Sequence, residues 1–358
     1  MQRLFSTALM VAILGGGGWM FFKGLHLEDV KQILVTGSSN SGGGGPAIGA
    51  SPVSNIPSWN PPPGATIKIA SFNIQVFGDA KAGKPYVIDT ICQIISNFDV
   101  VAIQEIRTQD DLFVQKFVHR LNQLSGRQYD FRVGERLGNT RSTEQYAFVF
   151  DTQRIEVHPQ LVRTISDPDN LMHREPFYAF FATRGIPNLN ERFTFMLVNV
   201  HTDPDVAKEE MDALAQVYSV LRRYPIGQDR RTEDDIILLG DFNTKVPNAP
   251  SGSVGRSSRP LTLNDLAGLG RITDIYPVIQ NQPTNVVKSM LHDNILFHRP
   301  STAEFTGRGG VYDIQSIHGL SLDQVKQVSD HLPVWAEFSV TEADLSNRVA
   351  SGAAGASR

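Results

Sequence analysis

The chain has 358 residues, a formal net charge of −4 and a single cysteine, Cys92. Hydrophobic residues make up 41% and charged residues 20%, which is typical of a globular protein that can bury a sizeable core. The charge excludes a uniformly basic nucleic-acid-binding protein, although a local basic patch would be compatible with it. The lone cysteine excludes an intramolecular disulfide and a cysteine metal site, and its apolar neighbours predict a buried, inert thiol.

The N-terminus predicts a membrane-directing segment over residues 1–25. An uncharged run from Leu4 to Phe22 is about long enough to cross a bilayer as a helix, and it ends at Lys23. No small-residue cleavage site follows it directly, which favours an uncleaved anchor over a signal peptide, with a buried helix as the remaining alternative. We therefore expect a membrane-anchored or secreted, periplasmic protein whose large domain lies outside the cytoplasm.

The rest of the chain divides into a linker, one domain and a tail. Residues 26–66 are rich in Gly, Ser and Pro, which is typical of a linker. Residues 341–358 are mostly small and polar, which predicts a disordered tail. Residues 67–340 contain no internal repeat, and we expect them to form a single, monomeric domain.

Within that domain, short apolar runs typical of strands occur together with stretches whose apolar residues recur at helical spacing. Strands are predicted at 67–70, 100–103, 146–150, 193–200, 236–239 and 332–338, and helices at 87–97, 111–124 and 206–222. Strands mixed with helices in this way indicate a layered α/β protein whose sheets are covered by helices.

Polar side chains stand beside the predicted strands, mostly directly after them. Strands of one sheet can bring such residues together at one rim, where functional groups tend to collect. Taken singly, each residue has a common structural explanation, such as a turn, a helix N-cap or a loop charge. The prediction of one site therefore depends on their occurring together. The residues are Asn73, Glu105, His201, Asp241, Asn243, Asp330 and His331.

The chemistry of this set indicates phosphodiester hydrolysis. Carboxylate and amide oxygens are hard ligands that suit Mg²⁺, Mn²⁺ or Ca²⁺ rather than zinc. Imidazole can accept or donate a proton near neutral pH. A carboxylate-bound divalent metal ion beside histidine is the equipment expected for cleaving a phosphodiester bond. The oxygen ligands are Asn73, Glu105, Asp241, Asn243 and Asp330, and the imidazoles are His201 and His331.

Short motifs occur in the order typical of one superfamily. They are SFNIQ at 71–75, IQE at 103–105, NVH at 199–201, GDFN at 240–243 and SDH at 329–331. In these motifs the chain resembles the endonuclease/exonuclease/phosphatase superfamily over essentially all of 67–340. Within it the chain is most similar to the deoxyribonuclease I family. That similarity is carried by IASFNIQVFG at 69–78, QEIR at 104–107, EQYAF at 144–148 and HREP at 173–176.

The resemblance implies a deoxyribonuclease I-like α/β fold, a four-layer α/β sandwich of two packed mixed β-sheets flanked by helices. It implies that Glu105, with Asn73 and Asp330 nearby, holds the principal Mg²⁺, with Mn²⁺ or Ca²⁺ as alternatives. It further implies that Asp241 and Asn243 orient the attacking water or hold a second ion.

The resemblance also implies two catalytic histidine–carboxylate pairs. Glu144 would partner His201, and Asp293 would align and charge His331, so that the pairs flank the scissile phosphate as acid and base. For Glu144 the alternative is an ordinary surface charge. The family's disulfides cannot form here, which also puts any calcium-braced loop of the family in doubt.

The resemblance places three arginines against the DNA backbone, because guanidinium groups suit phosphate oxygens. Two of the three have a structural alternative. The predicted contacts are Arg107, Arg174 (alternatively a salt-bridge partner) and Arg141 (alternatively solvated).

Two functions therefore compete. The first is a low-specificity DNA endonuclease with DNA as its substrate. The second is a phosphodiesterase or phosphatase of the same superfamily acting on a phospholipid or phosphoinositide, for which a membrane segment would make sense. A non-catalytic binding module is disfavoured, because every matched metal and acid–base position keeps its residue.

Overall fold

The computed structural model describes residues 61–62, 64–138, 143–223, 225–226, 231–247 and 259–343. The predicted N-terminal segment, nearly all of the predicted linker, Arg141 and the tail beyond residue 343 lie outside these residues. Among the residues described, no helix combines the length and the apolar character needed to cross a membrane.

Two six-stranded sheets and one short hairpin contain the described strands. The strands are β1 (Thr66–Phe77), β2 (Val100–Ile106), β3 (Tyr129–Val133), β4 (Gln145–Asp151), β5 (Ile155–Thr164), β6 (Phe177–Thr183), β7 (Thr194–His201), β8 (Pro225–Ile226), β9 (Arg231–Thr232), β10 (Ile236–Pro247), β11 (Ile275–Pro277), β12 (Met290–His298), β13 (Phe305–Val311) and β14 (Val334–Ser339). The first sheet has the order β13-β14-β1-β2-β4-β3 and the second β11-β12-β10-β7-β6-β5. Both are mixed, because β1–β2 and β10–β7 are parallel while their other pairings are antiparallel.

Helices cover the outer faces of the two sheets. The α-helices are α1 (Asp79–Ala82), α2 (Pro85–Ile95), α3 (Phe113–Ser125), α4 (Ala207–Leu221), α5 (Ile314–His318) and α6 (Leu322–Val328), with short 3₁₀ turns at Leu189–Glu191, Leu263–Leu266 and Leu269–Arg271. Cys92 lies on the buried face of α2, and burial raises the pKa of its thiol to about 12. The prediction of a buried, inert cysteine is confirmed.

The side chains of β1 alternate between two apolar cores, as the period of a strand requires. Ile67 and Ile69 face the second sheet and join the core between the sheets. Ala70 and Phe72 face the other way, into the core beneath α2, α3 and α6. Helix α4 contributes to the core of the second sheet. The layers therefore run helix, sheet, sheet, helix, which confirms the predicted four-layer sandwich.

The predicted strands and helices are all present, but two strands are longer than their apolar runs. β1 continues through Asn73 to Phe77, and β10 continues through Asp241 and Asn243 to Pro247. Each strand contains a register shift in this extension, after Asn73 and after Asp241. A register shift lets a strand continue while the side chain at the irregular position points away from the regular hydrogen-bonded pairs. The polar residues thus lie on strand ends rather than in the loops that follow.

Candidate active site

Asp241 lies at the centre of the candidate site. In the register of the second sheet it stands beside His201 on the parallel strand β7 and beside Asp293 on the antiparallel strand β12. The preceding residue, Gly240, has a φ of 151°, and a Cβ there would lie 1.9 Å from the carbonyl oxygen of Val200. Only glycine allows this close approach of β10 to β7. The backbone therefore fixes three of the predicted site residues side by side.

His201 forms the first histidine–carboxylate pair. Its Nδ1 lies 2.6 Å from Oε1 of Glu144, which is fully buried. Burial lowers the pKa of His201, but the charge and hydrogen bond of Glu144 outweigh this and raise it. Burial likewise raises the pKa of Glu144, but the charge of His201 leads the effects that bring it below its usual value. The two groups therefore form a buried ion pair.

His331 forms the second pair. Its Nδ1 lies 2.9 Å from Oδ2 of Asp293, whose backbone N–H donates to Thr284 Oγ1 at 3.0 Å. Burial lowers the pKa of His331, but the charges of Asp293 and Asp241 overcome it and raise that pKa to about 10. The imidazole is therefore held in its charged form at neutral pH.

The two pairs converge on one oxygen atom. Oδ2 of Asp241 lies 3.7 Å from Nε2 of His201 and 3.6 Å from Nε2 of His331, and it accepts a hydrogen bond from Asn73 Nδ2 at 3.1 Å. Burial raises the pKa of Asp241, but the charges of His331 and His201 bring it below its usual value. Two charged imidazoles that face one point can hold an anionic group and donate protons to it.

A group of oxygen ligands lies next to this point and fits a divalent metal ion. Asn73 Nδ2 donates to Glu105 Oε1 at 3.3 Å, and Gln75 Nε2 donates to Asp330 Oδ2 at 2.9 Å. Oδ1 of Asn73 and Oδ1 of Asp330 are buried and accept no hydrogen bond. A buried oxygen without a partner is unfavourable, and a cation between these groups would satisfy it. Carboxylate and amide oxygens are the donors that Mg²⁺, Mn²⁺ and Ca²⁺ accept.

The backbone is strained at the edge that carries these oxygen ligands. Glu105 has a φ of 63°, Asn243 of 47° and the β-branched Val76 of 48°, in a region that side chains other than glycine rarely adopt. The strained conformations are fixed by hydrogen bonds: Val76 N donates to Glu105 Oε2 at 3.0 Å, and Asn243 N donates to Asp241 Oδ1 at 2.9 Å. Strain of this kind collects at functional sites, where the surroundings impose a geometry.

The predicted arginines differ in exposure. Arg107 bridges Glu105 and Glu144 at 3.3 and 3.2 Å, and its side chain is 28% exposed. Arg174 donates to the carbonyl of His201 at 3.0 Å, lies 3.5 Å from Glu144 and is only 9% exposed. Arg107 can therefore reach a ligand in solvent, whereas Arg174 mainly supports the Glu144–His201 pair. Contact of either arginine with DNA stays a prediction, and Arg141 lies outside the described residues.

Four supporting residues were assigned no role from the sequence. Ser329 Oγ donates to the carbonyl of Asn73 at 2.7 Å and accepts from His331 N at 3.1 Å, which ties the two edges of the site together. Gln75 holds Asp330, as described above. Gln104 Nε2 donates to Asn199 Oδ1 at 2.6 Å across the two sheets. A polar residue within an apolar strand run is the signal that could have identified the last two.

Comparisons with known proteins agree with this geometry. The profile of the Endonuclease/Exonuclease/phosphatase family matches residues 70–331, well over half of the chain. Deoxyribonuclease-1-like 2 of Mus musculus is 33% identical over 287 residues, covering 77% of this chain and 93% of that protein. Deoxyribonuclease gamma of Rattus norvegicus is 27% identical over 291 residues, covering 79% and 88%.

A solved structure of an endonuclease/exonuclease/phosphatase family protein from Leptotrichia buccalis has a TM-score of 0.47 and 13% identity. It covers 77% of this chain and 100% of its own. The predicted superfamily and the predicted hydrolytic class of enzyme are both confirmed by the family match. On its motifs, its fold and this match, the chain belongs to the endonuclease/exonuclease/phosphatase family.

Proposed function

We propose that the protein is a divalent-metal-dependent DNA endonuclease of low sequence specificity. The observation that carries the proposal is the convergence of two histidine–carboxylate pairs on Oδ2 of Asp241. The names of the relatives, which are deoxyribonucleases, support DNA as the substrate.

In this proposal the two histidines move the protons of the reaction. The scissile phosphate lies between Nε2 of His201 and Nε2 of His331, close to Asp241. His331, whose charged form is favoured, donates a proton to the leaving oxygen, and His201 accepts the proton of the attacking water when its ring is in the neutral form. Glu144 and Asp293 each bind Nδ1, so that each ring keeps Nε2 directed at the phosphate. Asp241, assisted by Asn243, orients the water.

The proposed metal ligands are Asn73, Glu105 and Asp330, whose orphaned and strained groups are described above. Asp241 and Asn243 would hold a second ion if one binds. When bound, Mg²⁺ (or Mn²⁺ or Ca²⁺) neutralises the charge that develops on the phosphoryl oxygens and the leaving group. The hydrogen bonds from Gln75 and from Val76 N orient Asp330 and Glu105 for this task.

We infer that Arg107 contacts a DNA phosphate, because its guanidinium lies at the site and remains partly exposed. Arg174 and Arg141 are proposed as further backbone contacts, with Arg174 also positioning Glu144. We also propose that residues 1–25 direct the chain to a membrane or out of the cell, that 26–66 are a linker, and that 67–340 act outside the cytoplasm as a monomer ahead of the 341–358 tail.

The test is nicking of supercoiled plasmid by the purified full-length protein with Mg²⁺ or Mn²⁺, with EDTA as the metal-free control. We expect open-circular product that depends on metal and is lost in His331→Ala. In parallel, vesicles of phosphatidylcholine and phosphoinositide report the release of phosphocholine or inorganic phosphate. Lipid hydrolysis without plasmid cleavage would overturn the proposal in favour of a lipid phosphodiesterase.

A further inference from the structure

A second group of buried carboxylates lies at the opposite end of β10 from the active site. Asp235 directly precedes this strand and Glu233 lies two residues earlier. At about 3.3 Å per residue the backbone from Asp235 to Asp241 covers about 20 Å. Glu304 directly precedes β13, and Glu342 follows β14. The group therefore joins segments of the second sheet to segments of the first. We call these four residues the distal carboxylate cluster.

The distal carboxylate cluster is tightly packed and largely shielded from solvent. Asp235 is 2% exposed, Glu304 3% and Glu233 7%. Asp235, Glu304 and Glu342 each offer an oxygen, and these oxygens all lie within 4.8 Å of one another. Glu233 joins Glu342 through a shared partner, the hydroxyl of Thr194, at 2.9 and 3.3 Å. Such a concentration of carboxylates in a low-dielectric interior strongly disfavours the fully ionised state without a compensating charge.

In the part of the chain that the structure describes, the cluster receives N–H and O–H donors but no paired cation. Among the residues that the structure describes, no lysine, arginine or histidine forms an ion pair with any member. The donors include Asp235 N to Glu233, Thr194 N and Oγ1 to Glu342, Thr194 Oγ1 to Glu233, and Ala343 N to Glu304. The backbone of Asp234 also hydrogen-bonds Glu233, and the side chains of Glu304 and Glu342 hydrogen-bond each other.

Two oxygens of the cluster are left without any donor. Oδ1 of Asp235 and Oε2 of Glu304 are buried and accept no hydrogen bond. Both belong to side chains that are more than nine-tenths buried, and both residues contribute to the group of oxygens within 4.8 Å of one another. Buried acceptors normally receive a hydrogen bond. Two buried oxygens without one in the same cluster therefore indicate a bound cation that these oxygens would coordinate.

We propose that the distal carboxylate cluster is a structural calcium site. Ca²⁺ takes six to eight oxygen ligands in flexible geometry and tolerates several carboxylates at once. Mg²⁺ demands a nearly ideal octahedron and usually keeps several waters, which a closed group of large carboxylates suits poorly. The site contains no nitrogen or sulfur donor of the kind that zinc prefers.

The ion would act as a brace between the two sheets. Asp235 and Glu233 lead into β10 near the middle of the second sheet, whereas Glu304 and Glu342 flank the edge strand β13 and its neighbour β14 of the first. An ion held by Asp235, Glu304 and Glu342 would fix these strand ends at the side of the sandwich opposite the candidate active site. A chain with one cysteine has no disulfide to do the same.

The test is thermal unfolding of the full-length protein with and without CaCl₂, in a Glu105→Gln background so that the active-site ligands contribute little. We expect calcium well above its dissociation constant to raise Tm by about 5 °C or more. Asp235→Asn and Glu304→Gln should each abolish this rise. Glu209→Gln, an exposed acid on α4, is the matched control and should keep it.

Three outcomes would overturn the proposal: no calcium-dependent rise in the Glu105→Gln background, an undiminished rise in Asp235→Asn and Glu304→Gln, or an equal rise with MgCl₂. Should one variant fail to fold, Glu342→Gln replaces it. In EDTA, Asp235→Asn should melt no lower than its parent, because the amide removes a buried carboxylate that has no cationic partner. Calcium titration by calorimetry gives an independent count of sites, one fewer in Asp235→Asn.

Discussion

Carboxylates are buried at both ends of β10, but their pKa values are shifted in opposite directions. Near the C-terminal end, Asp241 faces two imidazoles, and although burial raises its pKa, their charges bring it below the usual value. At the N-terminal end, Asp235 faces other carboxylates, and burial together with the charge of Glu304 raises its pKa to about 10. Burial is similar at both ends, so the neighbouring charges determine the sign of the net shift.

The two ends therefore differ in the charge that each still needs from a ligand. The active-site end already balances its carboxylates with histidines, and it can therefore accept an anionic phosphate and a metal ion together. Among the described residues no cationic side chain pairs with the carboxylates of the distal end, so that this end must take up protons or a cation. Substitutions at the two ends test that contrast.

Removing either imidazole should have the largest effect. His331→Ala and His201→Ala should each lower kcat for plasmid cleavage by at least about 10²-fold, within the range typical of acid–base groups. His158→Ala, which alters an exposed histidine, is the matched control and should keep full activity. Near-wild-type turnover in either active-site variant would refute the assigned role.

Glu105→Gln should raise the Mg²⁺ concentration needed for half-maximal cleavage by about tenfold or more, as well as lower the rate. The substitution keeps the shape of the side chain but removes a charged oxygen ligand. Metal titrations of activity and of Tm measure this. An unchanged metal requirement would show that Glu105 is not a ligand.

Asp293→Asn should lower the rate by about tenfold or more while leaving the metal requirement near that of the wild type. An amide in place of the carboxylate can favour the wrong tautomer of His331 and no longer stabilises its charge. The comparison with Glu105→Gln separates the histidine pair from the metal ligands. A shifted metal requirement with an unchanged rate would contradict the separation.

At the distal end, the stability of the protein in EDTA should fall as the pH rises. Burial leads the effects that raise the pKa of Glu233 to about 7, of Glu342 to about 8 and of Asp235 to about 10. In the unfolded chain the pKa values of these carboxyl groups are about 4, and below that pH the stability contributed by their bound protons is fully present. This stability is lost as the pH rises through the higher pKa values of the folded protein.

Melting curves from about pH 6 to 9 measure this effect. We expect a decline of several degrees in EDTA, a smaller decline with calcium, and a smaller decline in Asp235→Asn. The control Glu209→Gln should follow the wild type. A Tm that is independent of pH in EDTA would show that the distal carboxylates do not hold protons.

The smallest effect concerns DNA contact. Arg107→Ala should raise KM for DNA by a few fold and reduce the salt dependence of binding by about one phosphate contact. Arg271→Ala, whose exposed guanidinium pairs with Asp212, is the control. An unchanged salt dependence would assign Arg107 to supporting Glu105 and Glu144 alone.

The amino-acid sequence was enough to predict the class of fold and much of the candidate site. Apolar runs located the strands, because a buried strand must be apolar wherever it packs. The residues Asn73, Glu105, Asp241 and His331 could be singled out because each stands within or beside such a run, in short motifs that occur in a recognisable order. These signals are local, and the printed chain contains them completely.

The family resemblance implied which carboxylate partners each histidine, but the distances between these groups come from the tertiary structure alone. The partners of His201 and of His331 are 57 and 38 residues away along the chain, and nothing local predicts a distance of 2.6 or 2.9 Å. The distal carboxylate cluster left no motif at all, because Glu304 and Glu342 are ordinary acids until two sheets bring them against Asp235. Charge state depends on burial and neighbours in three dimensions, and packing alone supplies both.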